Sequence, residues 1–290
     1  MTGRVAVVTD STAYLPPVDA ATLDVRVVPL QVVVDGDSYD EGTAEASDVL
    51  LMALRARVPV TTSRPSPEAF AAAYDTVRRE GASAVVSIHL SGAMSGTLEA
   101  ARLAAREADL AVTVVDSRAI AMALGFAVLD AAALALDGGD ALTVAARAER
   151  RLAATTTYFY VDSLDQLRRG GRIGATQAVV GQALAVKPLL RLTDGRIEPW
   201  ERVRTASRAH ARLEDATVAA AGSAEVDVAV HHLGDPSRAH ELGERLTGRV
   251  PRLRRLVVSE VGAVVGAHTG IGMLGVAIAP VDASEGDRAQ

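Results

Sequence analysis

The chain has 290 residues, a mass of 30.1 kDa and a formal net charge of −6, with 49% hydrophobic but only 3% aromatic residues. This length fits one large domain or two ordinary ones, and the acidic balance gives no general attraction to nucleic acid or to an anionic membrane. The absence of cysteine excludes disulfides, zinc–thiolate sites and a cysteine nucleophile. Because Lys187 is the sole lysine, a Walker-type lysine is excluded everywhere else.

Short β-branched runs alternate with amphipathic helical patterns over the first half of the chain. The clearest helix is predicted at 66–81, where Ser66 is a suitable N-cap, Pro67 takes the first helical position and Gly81 ends the pattern. Such alternation is typical of a parallel sheet covered by helices. The predicted strands are 4–9, 25–36 (one or two strands), 83–88 and 111–116; the predicted helices are 48–57, 66–81, 96–108, 118–136 and one ending near 153.

The character of the sequence changes near residue 157, where a second, α+β domain is predicted to begin. Two strands are expected within 185–204, joined at Asp194-Gly195, a dipeptide typical of a tight hairpin. The remaining predicted elements are a helix at 205–221, a strand at 226–232, a helix from 236, and strands at 254–260 and 274–280.

One segment, 119–136, has the hydrophobicity of a membrane span, but it is mostly alanine and is interrupted by Gly125 and Asp130. A span needs roughly 20 strongly apolar residues, so a helix buried against a sheet is favoured. The apolar run before Asp10 is too short for the core of a signal peptide. We therefore expect a soluble, cytoplasmic protein.

The loop "HLSGAMSGT" at 89–97 lies between a predicted strand and a predicted helix. It could serve as a nucleophile's turn, a phosphate cradle or a clasp for another anion. Its "GAMSG" stretch misses the G-x-S-x-G motif of serine hydrolases by one residue. His89 is too close in sequence to be presumed the base, and no Asp–His pair is evident elsewhere. A serine esterase that uses Ser95 is therefore kept only as an alternative.

The start of the helix after this loop favours an anion clasp. Gly96 and Thr97 begin the helix, so free N–H groups and the positive end of the helix dipole face the Ser95 hydroxyl. Glycine also lets an anion approach the backbone. Taken alone, however, Ser95 is better explained as a cap of its own helix.

The stretch "TTSRPSP" at 61–67 places hydroxyl groups and a cation just before another predicted helix. Thr62, Ser63 and Arg64 are the residues of interest there. A turn followed by a cap is the simplest interpretation, because the two prolines forbid regular structure.

His268 is the strongest histidine candidate for a ligand contact. It lies in "VGAHTGIG" at 265–272, which is predicted to be a glycine-rich loop because it is too polar and open for a buried helix face. His231 and His232 end a strand and are expected to be solvated.

The stretch "GIGMLG" at 270–275 matches the dinucleotide-binding pattern letter for letter. That motif needs a strand before it and a helix after it, whereas here a strand follows. A close-packed loop entering a strand is therefore favoured over an NAD-binding enzyme. The spacing of His, Asp and Glu suggests no metal site, and no pattern suggests ATP binding.

Asp-Ser pairs recur at the carboxyl ends of predicted strands. Ser117 and Ser163 are interpreted as local caps. Asp10 and Ser11 stay candidate site residues, because α/β sheets bind ligands at this edge.

Seven stretches, in chain order, resemble the DegV family of bacterial lipid-binding proteins. They are "VVTDSTAYLP", "TTSRPSP", "LSGAMSGTLEAA", "VVDSRAIAMALG", "SLDQLRRGGRIG", "VKPLL" with "VRT", and "VGAVVGAHTGIGMLG". The resemblance implies a DegV-like α/β fold. It has a three-layer α/β domain with a parallel sheet over 1–156, a two-layer α+β domain over 157–290, and a fatty-acid site at their interface.

The same resemblance implies a carrier without catalysis of its own and without a cofactor. Members hold one long-chain fatty acid in an apolar tunnel and present its carboxylate to a separate ATP-binding subunit of fatty acid kinase, which forms an acyl phosphate. Matching motifs assign fatty-acid binding to Thr62, Ser63, Ser95, Gly96, His268 and Thr269, and docking of the kinase subunit to Arg172 and Arg204.

Three positions depart from the family pattern. Arg64 stands where a neutral amide is usual, so it could pair with the head group or point to solvent. Met94 and Ile271 also replace the usual neighbours of Ser95 and of the His-Thr-Gly stretch. A preferred chain length is therefore not carried over.

Overall fold

The computed structural model describes residues 3–174 and 186–281. The chain forms two compact units, and the division falls between Ala153 and Ala154, three residues before the predicted boundary. The first unit is Met1–Ala153 with Gly262–Val264, and the second is Ala154–Val261 with Val265–Gln290. The sequence patterns did not predict this return of three residues to the first unit.

The described residues form the following strands and helices. The strands are β1 (Val5–Asp10), β2 (Arg26–Val28), β3 (Gln31–Val34), β4 (Asp37–Asp40), β5 (Val60–Ser63), β6 (Ala84–His89), β7 (Ala111–Asp116), β8 (Thr156–Tyr160), β9 (Lys187–Thr193), β10 (Arg196–Val203), β11 (Val226–His232), β12 (Leu253–Glu260) and β13 (Leu274–Pro280). The helices are α1 (Pro17–Thr22), α2 (Ala44–Ala56), α3 (Pro67–Arg79), α4 (Thr97–Arg106), α5 (Met122–Leu136), α6 (Ala141–Ala154), α7 (Asp165–Arg169), α8 (Ala206–Ala221), α9 (Pro236–Arg249) and α10 (Ala263–Thr269).

A parallel sheet with strand order β2-β1-β6-β7 forms the centre of the first unit. All six residues of β1 are buried, as expected for a strand covered on both faces. Helices α3 and α4 pack over Ala6, Val8 and Val85, and α5 packs against β1 and β6. The predicted mixed α/β class with a helix-covered parallel sheet is confirmed.

Helix α5 is the segment whose hydrophobicity suggested a membrane span. Eleven of its fifteen residues are buried, and none of the helices in the described parts of the chain is long and apolar enough to cross a membrane. It starts at Met122 and not at 118, because Arg118 and Ala121 have φ angles of 49° and 58°, which no right-handed helix contains.

A second sheet in the first unit corrects the prediction for 61–67. Strand β5 pairs with β3 in the antiparallel order β4-β3-β5, with Thr62 opposite Val32. The expected turn therefore begins only after Ser63. The sequence did not indicate this strand, because prolines follow it closely and its pairing partner β3 lies far away in the sequence.

The second unit contains a six-stranded mixed sheet in the order β10-β9-β8-β13-β11-β12, in which only β11 and β12 are parallel. The β9–β10 hairpin turns at Asp194 and Gly195, whose φ angles of 47° and 75° are both positive, as a two-residue type I′ turn requires. Helices α8 and α9 bury Leu213, Leu242 and Leu246 in a common core with the sheet.

Candidate functional site

The 89–97 loop connects β6 to α4 in the first unit. Gly96 occupies the N-cap position and Ser95 Oγ accepts a hydrogen bond from Thr97 N at 3.2 Å. The same Ser95 oxygen lies 2.8 Å from Thr97 Oγ1. Ser95 is partly exposed, whereas Ser91 is fully buried and its Oγ accepts from Ala93 N. Ser95 is therefore the loop serine whose hydroxyl a ligand can reach.

A chain of buried polar groups holds the start of this loop. His89 Nδ1 lies 3.0 Å from Asp10 Oδ2, and His89 Nε2 lies 2.7 Å from Ser87 Oγ. The Ser87 hydroxyl continues to Tyr74 OH at 2.9 Å. These four side chains are at most 1% exposed, so the chain of hydrogen bonds is sealed from solvent.

This arrangement corrects the expectation that the sequence contains no Asp–His pair. The pair is Asp10–His89, but the serine that it contacts is Ser87, which is buried on β6. Both ring nitrogens of His89 are engaged, and neither contacts Ser95. Among the described residues, the Ser95 hydroxyl forms hydrogen bonds only with Thr97, so it is not in contact with a base of the kind that a serine esterase requires.

The Asp10 carboxylate also fixes the backbone where the sheet ends. Its Oδ2 accepts from Leu90 N at 2.9 Å, and its Oδ1 accepts from Thr12 N at 3.1 Å and Thr12 Oγ1 at 2.5 Å. Asp10 is fully buried and thus positions the start of the loop through β6.

The 61–67 stretch lies beside the 89–97 loop. Thr62 and Ser63 are partly buried at the end of β5. A methyl group on Gly96 would overlap Arg64 Nη1 and would stand 3.0 Å from Arg64 Cδ and Cζ. The Arg64 side chain therefore lies directly against the Gly96 backbone, next to Ser95.

In the second unit, His268 lies in helix α10 and not in a loop as expected. Gly266 is accommodated inside this helix, and Gly270, with φ of 77°, ends it by donating to Gly266 O at 2.8 Å. The glycine-rich composition suggested a loop, although only the second glycine interrupts the helix. Thr269 is buried, and its hydroxyl donates to Val265 O.

The turn at 170–172 packs against His268. A Cβ on Gly170 would overlap His268 Nδ1 and would lie 2.8 Å from Cε1. Burial, and then the charge of Arg172, lower the pKa of His268 from 6.5 to about 4. At neutral pH the imidazole is therefore uncharged and carries one N–H donor.

The two arginines assigned to partner docking differ in environment. Arg172 is partly buried, burial lowers its pKa, and its guanidinium donates to Gly170 O in the turn that contacts His268. Arg204 is exposed at the end of β10.

His231 and His232 are buried, at 3% and 5% exposure, so the expectation that they are solvated is wrong. Burial lowers the pKa of His231 to about 4, and its Nδ1 lies 3.0 Å from Ser259 Oγ. These histidines are buried because β11 lies between β12 and β13 in the sheet. Their position at the end of a predicted strand did not reveal these neighbours.

The "GIGMLG" stretch forms a turn with positive φ at Gly270 and Gly272 and leads into β13. No helix follows it, so it lacks the helix N-terminus that binds a pyrophosphate. Within the described residues, no group of His, Asp and Glu side chains is arranged to hold a metal ion.

Sequence reasoning missed Glu41, a buried carboxyl group of the first unit. Its Oε1 accepts from Val264 N at 2.8 Å and from Tyr14 OH at 3.0 Å, and its Oε2 accepts from Ser11 Oγ at 2.6 Å. Burial raises the pKa of Glu41 to about 7 in spite of these three hydrogen bonds. No sequence pattern indicated this burial, because "YDEGT" has the composition of an exposed turn.

Comparison with known proteins places this geometry in a family. A family model described as "Uncharacterised protein, DegV family" matches residues 4–281. A DegV domain-containing protein of Streptomyces coelicolor is 56% identical over 278 residues, which are 96% of this chain and 99% of that protein.

Solved structures agree with this match. A Thermus thermophilus DegV family protein, described for its fatty-acid binding, has a TM-score of 0.90 and 36% identity over 96% of this chain and 100% of its own. DegV of Bacillus subtilis, described as a fatty acid binding protein, has a TM-score of 0.87 and 32% identity over 96% and 100%. The chain therefore belongs to the DegV family.

Proposed function

We propose that this protein binds one long-chain fatty acid in the bacterial cytoplasm and carries it without catalysing a reaction itself. The observation that carries the proposal is the shared fold, at more than 30% identity over nearly the whole chain, with DegV proteins described as binding fatty acids. The chemistry of the described side chains supports it, since hydroxyl groups and an uncharged imidazole are suitable donors to a carboxylate.

The proposed head-group ligands in the first unit are Thr62, Ser63, Ser95 and Gly96. Partial exposure of Ser95 and the free N–H groups at the start of α4 favour an anion there. The proposed ligands in the second unit are His268 and Thr269. Because the pKa of His268 is about 4, it would act as a neutral hydrogen-bond donor and not as a counter-charge.

The acyl chain supplies most of the proposed binding energy. Burying about 16 methylene groups at ~0.8 kcal/mol each gives roughly 13 kcal/mol before the costs of association are subtracted. The head group then determines which end of the lipid is presented. A core built from Ala, Val and Leu suits an apolar tunnel for such a chain.

We further propose that the bound carboxylate is presented to a separate ATP-binding kinase subunit, which forms the acyl phosphate. Arg204 is the better docking candidate, because it is exposed and no described residue forms a hydrogen bond or ion pair with its side chain. Arg172 contacts the turn that supports His268.

Arg204→Ala should spare lipid binding and reduce phosphorylation. Arg172→Ala should also raise the pKa of His268, which NMR titration can measure.

The deciding experiment is extraction of the purified protein with organic solvent, followed by mass spectrometry. A fatty acid at a near-equal molar ratio is expected. Absence of lipid, together with no binding when fatty acid is added back, would remove the proposal.

A variant pair tests the head-group assignment. Ser95→Ala should weaken binding of fatty acid to the delipidated protein about tenfold to hundredfold, as loss of one hydrogen bond to a charged group implies. The matched control is Ser38→Ala, which removes an exposed hydroxyl from β4. A fluorophosphonate probe should leave Ser95 unlabelled, because none of the described side chains contacts its hydroxyl as a base; labelling would favour the esterase alternative.

A further inference from the structure

The guanidinium of Arg64 lies at the amino end of α4, where no described acidic side chain pairs with it. The side chain contacts the Gly96 backbone from Cδ to Nη1. Among the described residues, none forms a hydrogen bond or ion pair with its guanidinium. Arg64 is exposed. Its side chain can lie over the loop because Gly96 has no side chain at the point of contact.

This position is electrostatically unfavourable unless an anion is present. The amino end of a helix carries a partial positive charge, so a cation beside it is repelled. Neither acidic residue of the adjoining first helical turns forms an ion pair with Arg64: Glu99 lies 3.9 Å from Arg102 on its own helix, and Glu68 forms a hydrogen bond with Ser66. Helix end and guanidinium therefore reinforce each other as a positive region around Ser95.

Accepting the proposed function, we infer that Arg64 is a specificity-determining residue of the fatty-acid site that selects single-tailed lipids with an ionised head group over neutral ones. A carboxylate at Ser95 would gain a charge-assisted hydrogen bond from the guanidinium fork, and a phosphorylated head group, with its greater charge, would gain more. A fatty alcohol of the same length would gain almost nothing.

The experiment compares three ligands with one tail: hexadecanoate, hexadecyl phosphate and hexadecanol. Each is titrated into delipidated wild-type protein and into Arg64→Gln, which removes the charge but keeps amide donors. Arg64→Gln should weaken hexadecanoate about threefold to tenfold and hexadecyl phosphate more strongly, and should change hexadecanol less than twofold. Added salt should reduce the difference, because Arg64 is exposed.

Two further variants control for charge and geometry. Arg106→Gln makes the same change in net charge at the far end of α4 and should leave all three affinities unchanged. Gly96→Ala keeps the charge but displaces the guanidinium, so it should weaken both anionic ligands. Because Gly96 is itself a proposed head-group ligand, the loss is assigned to Arg64 only if it is smaller in the Arg64→Gln background than in wild type.

The outcomes separate the two proposals. If Arg64→Gln lowers the affinity for all three ligands equally, or for none of them, the role of Arg64 is overturned. The proposal that the protein binds fatty acid is unaffected by that result. Wild-type protein that binds none of the three ligands would overturn the proposed function itself.

Discussion

At the scale of single residues, Asp10 determines where the 89–97 loop begins. Its carboxylate receives hydrogen bonds from Leu90 N, from both donors of Thr12 and from the His89 ring. The carboxylate is fully buried. A buried carboxylate that satisfies four donors cannot be replaced without leaving some of them unpaired.

Asp10→Asn should therefore lower the free energy of unfolding by about 2–4 kcal/mol, because an amide offers one acceptor oxygen in place of two. Urea denaturation checks this value. The matched control is Asp48→Asn, at an exposed position of α2, which should change stability by less than about 0.5 kcal/mol. A similar, small effect of both variants would show that the buried network contributes nothing.

At the scale of elements, the first turn of α10 depends on a side chain that is distant in sequence. Glu41 accepts the Val264 N–H at 2.8 Å and so satisfies one of the free donors at the start of this helix. Gly262 makes the approach feasible, since a Cβ there would lie 2.5 Å from Glu41 Oε1. The seven-residue helix that contains His268 is too short to be stable by itself.

Glu41→Gln should change how stability depends on pH. Burial raises the pKa of Glu41 from 4.5 to about 7, so the folded protein binds this proton more tightly than the unfolded chain. Its contribution to the free energy of unfolding therefore falls as pH rises from about 4.5 to about 7, and is constant above. Between pH 5 and pH 8, the free energy of unfolding of the variant should therefore rise by about 2–3 kcal/mol relative to that of the wild type.

Urea denaturation at both pH values measures this gain. Glu45→Gln, at an exposed position in the first turn of α2, serves as the control and should follow the wild-type pH profile. If Glu41→Gln also follows it, Glu41 is not protonated preferentially in the folded state.

At the scale of the whole molecule, a bound lipid should stabilise the folded protein by mass action. Fatty acid at one hundred times its dissociation constant adds about 2.7 kcal/mol to the free energy of unfolding. Delipidated protein should therefore melt at a lower temperature than protein with fatty acid restored, as scanning calorimetry would show. Ser95→Ala and His268→Gln should each reduce this difference at a fixed lipid concentration. A melting temperature that does not respond to fatty acid would contradict specific binding.

The sequence by itself was sufficient where local chemistry decides the structure. Strands 111–116, 226–232 and 274–280 were predicted residue for residue, because β-branched runs between turn residues have few other stable conformations. Asp194-Gly195 specified its hairpin, since few residue pairs tolerate two positive φ angles. The family, too, followed from local motifs taken in order.

Tertiary structure decided whatever depends on a distant partner. Strand β5 exists because β3 pairs with it. The ring of His89 is engaged by Asp10, 79 residues away, and Glu41 becomes a buried helix cap through Val264, 223 residues away. Arg64 lies over Gly96 because the fold brings these two distant residues together. Burial and charge environment are properties of the folded neighbourhood, so residue type and spacing along the chain could suggest these side chains but could not assign their roles.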